Sequence, residues 1–182
     1  MKIFITLTLI LAVPQLQSAE TTEDTAEWSW ARMTLVKRGR EYDRGIALYM
    51  TDEHSLGVAF RCHRDKTYAV VSVRPVDFDA LLQEWFRNPV EQQIEYTIDD
   101  EALRVETWVW AYGGRVFVSA PGDSVKDLFR AARRGAMLSF KRRKGKSVTI
   151  RIPAGDPALF DGFVRHCGLS ATDYGQGETY ET

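Results

Sequence analysis

Residues 93–119 read QIEYTIDDEALRVETWVWAYGGRVFVS, and this stretch decides the fold class. It divides into three short runs, Gln93–Ile98, Arg104–Ala111 and Arg115–Ser119. Thr107–Trp110 is rich in β-branched and aromatic side chains, which fit a pleated, half-buried surface. The pair Gly113-Gly114 marks a turn between the second and third runs, and Asp99-Asp100-Glu101 reads as a solvated turn after the first. Strand, turn, strand, turn, strand is the grammar of an antiparallel sheet.

Working outward, the same grammar recurs. Upstream lie Trp28–Val36, Gly45–Met50, Leu56–Cys62 and Tyr68–Val73, with Asp65 as a turn signal. Downstream lie Ala136–Phe140 and Ser147–Ile152, separated by KRRKGKS, so that SFKRRKGKSVTIRI (139–152) reads as a hairpin. Two segments change period. Val125, Leu128, Phe129 and Ala132 are spaced i, i+3, i+4, i+7, one apolar stripe of a helix. Asp123 is its expected cap, and Arg130, Arg133 and Arg134 favour its negative end before Gly135. A second helix starts at Asp156-Pro157, carries Phe160, Phe163, Val164 and Cys167 on one stripe, and stops at Gly168. Residues 78–86 suggest a third, shorter helix. The fold class expected is α+β: a mainly antiparallel, sandwich-like β-sheet with two helices packed on it and one disulfide.

The ends of the chain read differently. Met1 and Lys2 precede eleven uncharged, mostly apolar residues, then Pro14 and a polar exit that ends in Ala19. This is the layout of a secretory signal peptide, with cleavage expected after Ala19. Eleven helical residues rise only about 16 Å, against a hydrocarbon core of about 30 Å, so the segment is too short for a retained anchor. The expected organisation is a signal peptide (1–19), a flexible acidic leader (20–27), one globular domain (28–168) and a mobile tail (169–182). No other apolar run approaches twenty residues, so no transmembrane segment is expected in the mature chain. The expected location is the periplasm or the secreted space.

Composition narrows the function classes. At 182 residues and 45% hydrophobic, the chain is long and apolar enough to bury a core. Its 24 Lys+Arg against 25 Asp+Glu argue against nucleic-acid binding as the main task.

Cys62 and Cys167 are the two cysteines, and in an oxidising compartment an even count reads first as a disulfide. Two other arrangements compete: a thiol activated by neighbouring His63 or His166, and a four-ligand metal site built from both Cys-His pairs. Geometry weakens both, because neighbours on a strand point to opposite faces and neighbours on a helix diverge by about 100°.

The sequence carries few signs of catalytic chemistry. The nucleotide-binding, zinc-protease, CxxC and nucleophile-elbow signatures are absent. The three histidines, His54, His63 and His166, have no metal-ligand spacing. Adjacent turn acids at 99–101 do not supply two carboxyls with separated pKa values across a pocket. Trp28, Trp30, Trp85, Trp108 and Trp110 read mainly as core, with a carbohydrate platform as the sharper reading. No enzymatic activity, cofactor or metal is expected.

Charge distribution singles out one surface. Residues 126–151 carry ten Lys/Arg against Asp127, whereas residues 91–106 carry six acids against Arg104, so a balanced total conceals a polar molecule. Arg142, Arg143, Lys144 and Lys146 are the candidate binding surface, a basic tip for an acidic protein or anionic envelope polymer. The bland reading is a solvated turn that deters edge pairing.

The order of features carries a resemblance. FRCH (60–63), EYTIDDEALRVETWVW (95–110), VKDLFRAARRG (125–135), MLSFKRRKGKSVTIRI (137–152) and DPALFDGFVRHCG (156–168) follow one another. This order resembles periplasmic TagO/VasI-type proteins associated with type VI secretion, and more loosely the invasion-associated locus B proteins. Thr97 stands where those families tend to have Arg. The resemblance implies export, a Cys62–Cys167 pairing and a role beside another envelope or secreted protein, and it transfers no catalytic residue. The function expected is a non-enzymatic exported interaction or accessory domain of a bacterial envelope or secretion system. The alternative is a binding module for an anionic envelope polysaccharide or lipid headgroup.

Overall fold

A computed structural model describes residues 27–37, 40–51, 57–63, 66–73, 90–111, 115–142 and 144–175. The expected helix at 78–86, the signal peptide, Trp85 and Arg143 lie outside these residues.

Among the described residues nine strands form one antiparallel sheet: β1 (Glu27–Lys37), β2 (Arg40–Thr51), β3 (Gly57–His63), β4 (Lys66–Ser72), β5 (Val90–Ile98), β6 (Arg104–Ala111), β7 (Val116–Val118), β8 (Ala136–Arg142) and β9 (Val148–Ile152). Among the described residues two helices join them, α1 (Asp123–Arg134) between β7 and β8 and α2 (Pro157–His166) after β9. The order across the sheet is β1-β2-β3-β4-β7-β6-β5-β8-β9. The meander β5-β6-β7 therefore runs back toward β4, which it meets where Val70 pairs with Val118. α1 then carries the chain from β7 to β8, on the far side of β5. The class anticipated from sequence, an antiparallel α+β fold with two packed helices, is the one found. The sandwich-like shape arises from a single sheet curling on itself rather than from two separate sheets.

Alternation explains which face turns inward. Val58, Phe60 and Cys62 on β3, Ala69 and Val71 on β4, Ile94, Tyr96 and Ile98 on β5, and Leu138 and Phe140 on β8 are all buried in one continuous core. The helices close this concavity. Val125, Leu128, Phe129 and Ala132 are buried as the helical spacing requires, together with Ala131. Phe129 is the hub. Its ring lies 5.0 Å from Phe60, 5.1 Å from Phe160, 5.8 Å from Phe163 and 5.1 Å from Tyr174, at largely edge-to-face angles.

Caps differ between the helices. Asp156 accepts from the Ala158 N–H at 2.9 Å and Pro157 follows at the first helical position, so α2 starts as its sequence indicates. Gly168, at φ +62°, ends it. Asp123, by contrast, lies inside the first turn of α1 behind Gly122 and makes no capping bond; its carboxylate instead meets Lys126 at 3.3 Å.

The disulfide joins Cys62 on β3 to Cys167 at the end of α2, with Cα atoms 5.9 Å apart across 105 residues. Both thiols are consumed by that bond, which removes the activated-thiol and metal-ligand arrangements for this pair.

The last segment corrects an expectation. Of the expected tail (169–182), residues 169–175 pack on the domain, and 176–182 lie outside the described residues. Leu169 packs on the core, Tyr174 is buried against Phe129, and Arg130 donates to the Asp173 carbonyl at 3.3 Å. Loss of helical period after Gly168 reflects a turn, and the aromatic ring that follows it has a core to enter. Among the described residues, no helix is long and apolar enough to cross a membrane.

Candidate functional site

The basic stretch 126–151 does not act as one surface. On α1 its cations meet carboxylates: Lys126 lies 3.3 Å from both Asp123 and Asp173, Arg130 2.9 Å from Asp127, and Arg133 2.6 Å from Asp161. Arg134 lies 2.9 Å from Asp99, and Lys141 2.7 Å from Glu95. These last pairs have a topological cause. β5 and β8 are hydrogen-bonded neighbours, so the acidic and basic runs lie side by side, with Glu95 directly opposite Lys141. Arg104 adds an ion pair to Asp127. The charge asymmetry read from the sequence is thus largely internal to the fold.

Arg142, Lys144 and Lys146 make no ion pair with a described carboxylate. The hairpin turns tightly, with the Gly145 N–H donating to the Arg142 carbonyl at 2.7 Å, and Lys144 and Lys146 are exposed on it. Arg142 folds inward. Its guanidinium carbon lies 4.6 Å from the centroid of the Trp110 ring, a cation–π contact. Of the four residues proposed as a basic tip, Arg142, Lys144 and Lys146 therefore remain together. Lys144 and Arg142 also flank a second, shallower depression with Glu91, Gln92 and Gln93.

Beneath Arg142 lies a cavity of about 250 Å³ at the end of the sheet beside the hairpin. Its walls include Val73, Trp110, Phe117, Phe140 and Val148, and its rim includes Arg142 and Lys146. Trp110 and Phe117 stack in parallel, 6.1 Å apart at 5°. The indole Nε1 of Trp110 is buried and has no hydrogen-bond partner among the described residues. An orphan donor of this kind is uncommon in a folded protein, where buried polar groups are nearly all paired.

The tryptophans divide accordingly. Trp108 is core, 1% exposed, and donates to Glu106 at 3.1 Å. Trp28 is half-buried against Phe60 and Phe160. Trp30 is exposed and lies edge-on to His166, ring centroids 5.0 Å apart. Trp110 lines the cavity. Sequence reading treated Trp108 and Trp110 alike because they share a face; the usable signal is that Trp110 lies nearer the strand end, where the core gives out.

The acidic groups are held rather than poised. Asp99 accepts from the Met137 N–H at 2.8 Å and from Arg134 at 2.9 Å. The Met137 hydrogen bond, ahead of the Arg134 contact, holds its carboxyl below the usual carboxylate range. Glu106 accepts from both the Tyr96 hydroxyl, at 2.9 Å, and the Trp108 indole. Burial, then the bond to Glu106, pushes the Tyr96 hydroxyl upward. Arg61, 4% exposed within β3, is shifted down by desolvation. Among the described residues, no group of three or more His, Cys, Asp or Glu side chains is arranged to hold a metal ion.

Comparison of the chain with family models, with curated proteins and with solved structures finds no match.

Proposed function

We propose that this chain is a non-enzymatic, exported interaction domain of a bacterial envelope system that docks an acidic partner through the β8–β9 hairpin. The observation that carries the reading is the division of the basic residues. Those on α1, and Lys141, are neutralised within the fold, whereas Arg142, Lys144 and Lys146 make no ion pair with a described carboxylate. Charges kept free at a hairpin tip raise association rates and select partners of opposite sign. Export is supported by the leader-like residues 1–19 and by the Cys62–Cys167 bond, which belongs to oxidising compartments. The resemblance to TagO/VasI-type periplasmic proteins supports an accessory role beside a secretion apparatus.

A second reading, a module for an anionic envelope polysaccharide or lipid headgroup, is favoured by the position of Arg142 over Trp110. Both readings share the hairpin cations and differ in the partner.

The test is affinity capture from the native exported fraction, comparing the wild type with Arg142→Gln/Lys144→Gln/Lys146→Gln. One stoichiometric acidic protein retained by the wild type and lost by the triple variant is the expected result. Equal retention by both overturns the reading. Mass spectrometry of the native product should find an N-terminus at Glu20 and no titratable thiol.

A further inference from the structure

The cavity beside the hairpin combines two features that a solvated turn does not need. Its walls are apolar and mostly aromatic: Val73, Trp110, Phe117, Phe140 and Val148. Its lining carries three cations: Lys141, which pairs with Glu95, and Arg142 and Lys146, which make no ion pair with a described carboxylate. An empty apolar recess alone would fit almost anything apolar. Positive charge without a described ion-pair partner at its mouth selects a ligand that brings both an apolar body and an anionic head.

We propose that this cavity binds a small organic carboxylate, its acyl or aryl body against the packed rings of Trp110, Phe117 and Phe140 and its carboxylate against Arg142 and Lys146. The proposal deepens the reading of the hairpin as an anion-docking element, and it rests on that reading only for the role of the two cations. Size limits the occupant. Ligand pockets for drug-sized molecules span about 300–1,000 Å³. At about 250 Å³ this one suits a medium acyl chain or a single aromatic ring. A guanidinium is well suited to the head, since its planar fork matches a carboxylate, and it is already held close to the site by the Trp110 ring.

The experiment follows the Trp110 indole N–H resonance of the oxidised full chain, assigned by its disappearance in Trp110→Phe. Sodium octanoate and sodium 3-phenylpropionate are the anionic probes, kept below any micelle concentration, and 1-octanol is the neutral control. A saturable shift with either carboxylate is expected, and the tighter of the two separates an acyl from an aryl body. Octanol should bind at least tenfold more weakly. Arg142→Gln/Lys146→Gln should weaken carboxylate binding about 10- to 100-fold, the range expected for losing charge-assisted hydrogen bonds. It should leave octanol unchanged. Val148→Trp, which fills the cavity without removing a charge, should abolish binding of all three probes. The proposal is overturned by the absence of a saturable shift, by octanol binding as tightly as octanoate, or by unchanged affinity in the double variant. Capture of a protein partner that persists when the carboxylates fail leaves the hairpin reading standing and removes the cavity alone. Carboxylate binding without partner capture does the reverse.

Discussion

The indole N–H of Trp28 donates to the carbonyl of Pro153 at 3.0 Å, across 125 residues of chain. Trp28 stands near the start of the edge strand β1, and Pro153 follows directly after the opposite edge strand β9. One side chain therefore ties together the two ends of a nine-stranded sheet. The ring completes the closure, 6.1 Å from Phe60 and 5.0 Å from Phe160. Without such ties, the curl would leave the two sheet edges to solvent.

Trp28→Phe keeps most of the ring contact and removes the donor. We expect a loss of about 1 kcal/mol, the net worth of one such hydrogen bond. Trp28→Ala should cost more, because the contacts to Phe60 and Phe160 go as well. Urea denaturation of both variants checks the order; equal stability of Trp28→Phe and Trp28→Ala would mean that the ring packing contributes nothing.

The Cys62–Cys167 bond closes a loop of 105 residues. In the chain-entropy model, a crosslink of that span is worth about 4 to 5 kcal/mol, acting chiefly on the unfolded chain. Cys62→Ser/Cys167→Ser, or reduction under native conditions, should lower the denaturation midpoint by a matching amount. Coincident unfolding curves with and without reductant would contradict this.

Asp99 should shape the acid limb of the stability curve. Its folded pKa is depressed, by the Met137 N–H first and Arg134 after it. Its stabilising contribution is therefore present above the ordinary aspartate value of about 3.9 and is lost as pH falls through the lower folded value. Asn at this position keeps the left-handed backbone, φ +52°, that the turn requires, so Asp99→Asn isolates the charge. The variant should be less stable than the wild type at pH 6, with the gap narrowing below about pH 4. A gap that stays constant down to pH 2 would argue against a role for the ionised carboxylate.

Gly155 should not tolerate a side chain. A Cβ there would lie 1.9 Å from Cε2 of Phe160, a fully buried ring packed against Phe129 and Trp28. Gly155→Ala should therefore cost about 1–3 kcal/mol, as overpacking of a filled core does. Thermal melts measure the loss. Gly162→Ala is the matched control, since a Cβ at that helical position meets nothing within 4 Å.

Each expected strand among the described residues has its counterpart, because alternation and turn chemistry are local. Phe160, Phe163 and Val164 face the core for the same kind of reason: a 3.6-residue period dictates a helix face before any partner is known. Asp123 misled, since an acidic residue near a helix start reads equally well as a cap or as a first-turn residue. Tyr174 misled more, because a seven-residue turn has no period to betray the ring at its end.

Sequence alone determined the element types, the buried faces and the two cysteines available to pair, all of which depend on neighbours a few positions away. Only the tertiary structure decided that β5 lies beside β8, so that Lys141 meets Glu95 and the two charge runs cancel. It also decided that Arg142 reaches Trp110 over a recess between strands far apart in the chain. Strand order and register are settled by packing across the whole sheet, where each face must find its complement, and no local pattern encodes which distant strand supplies it.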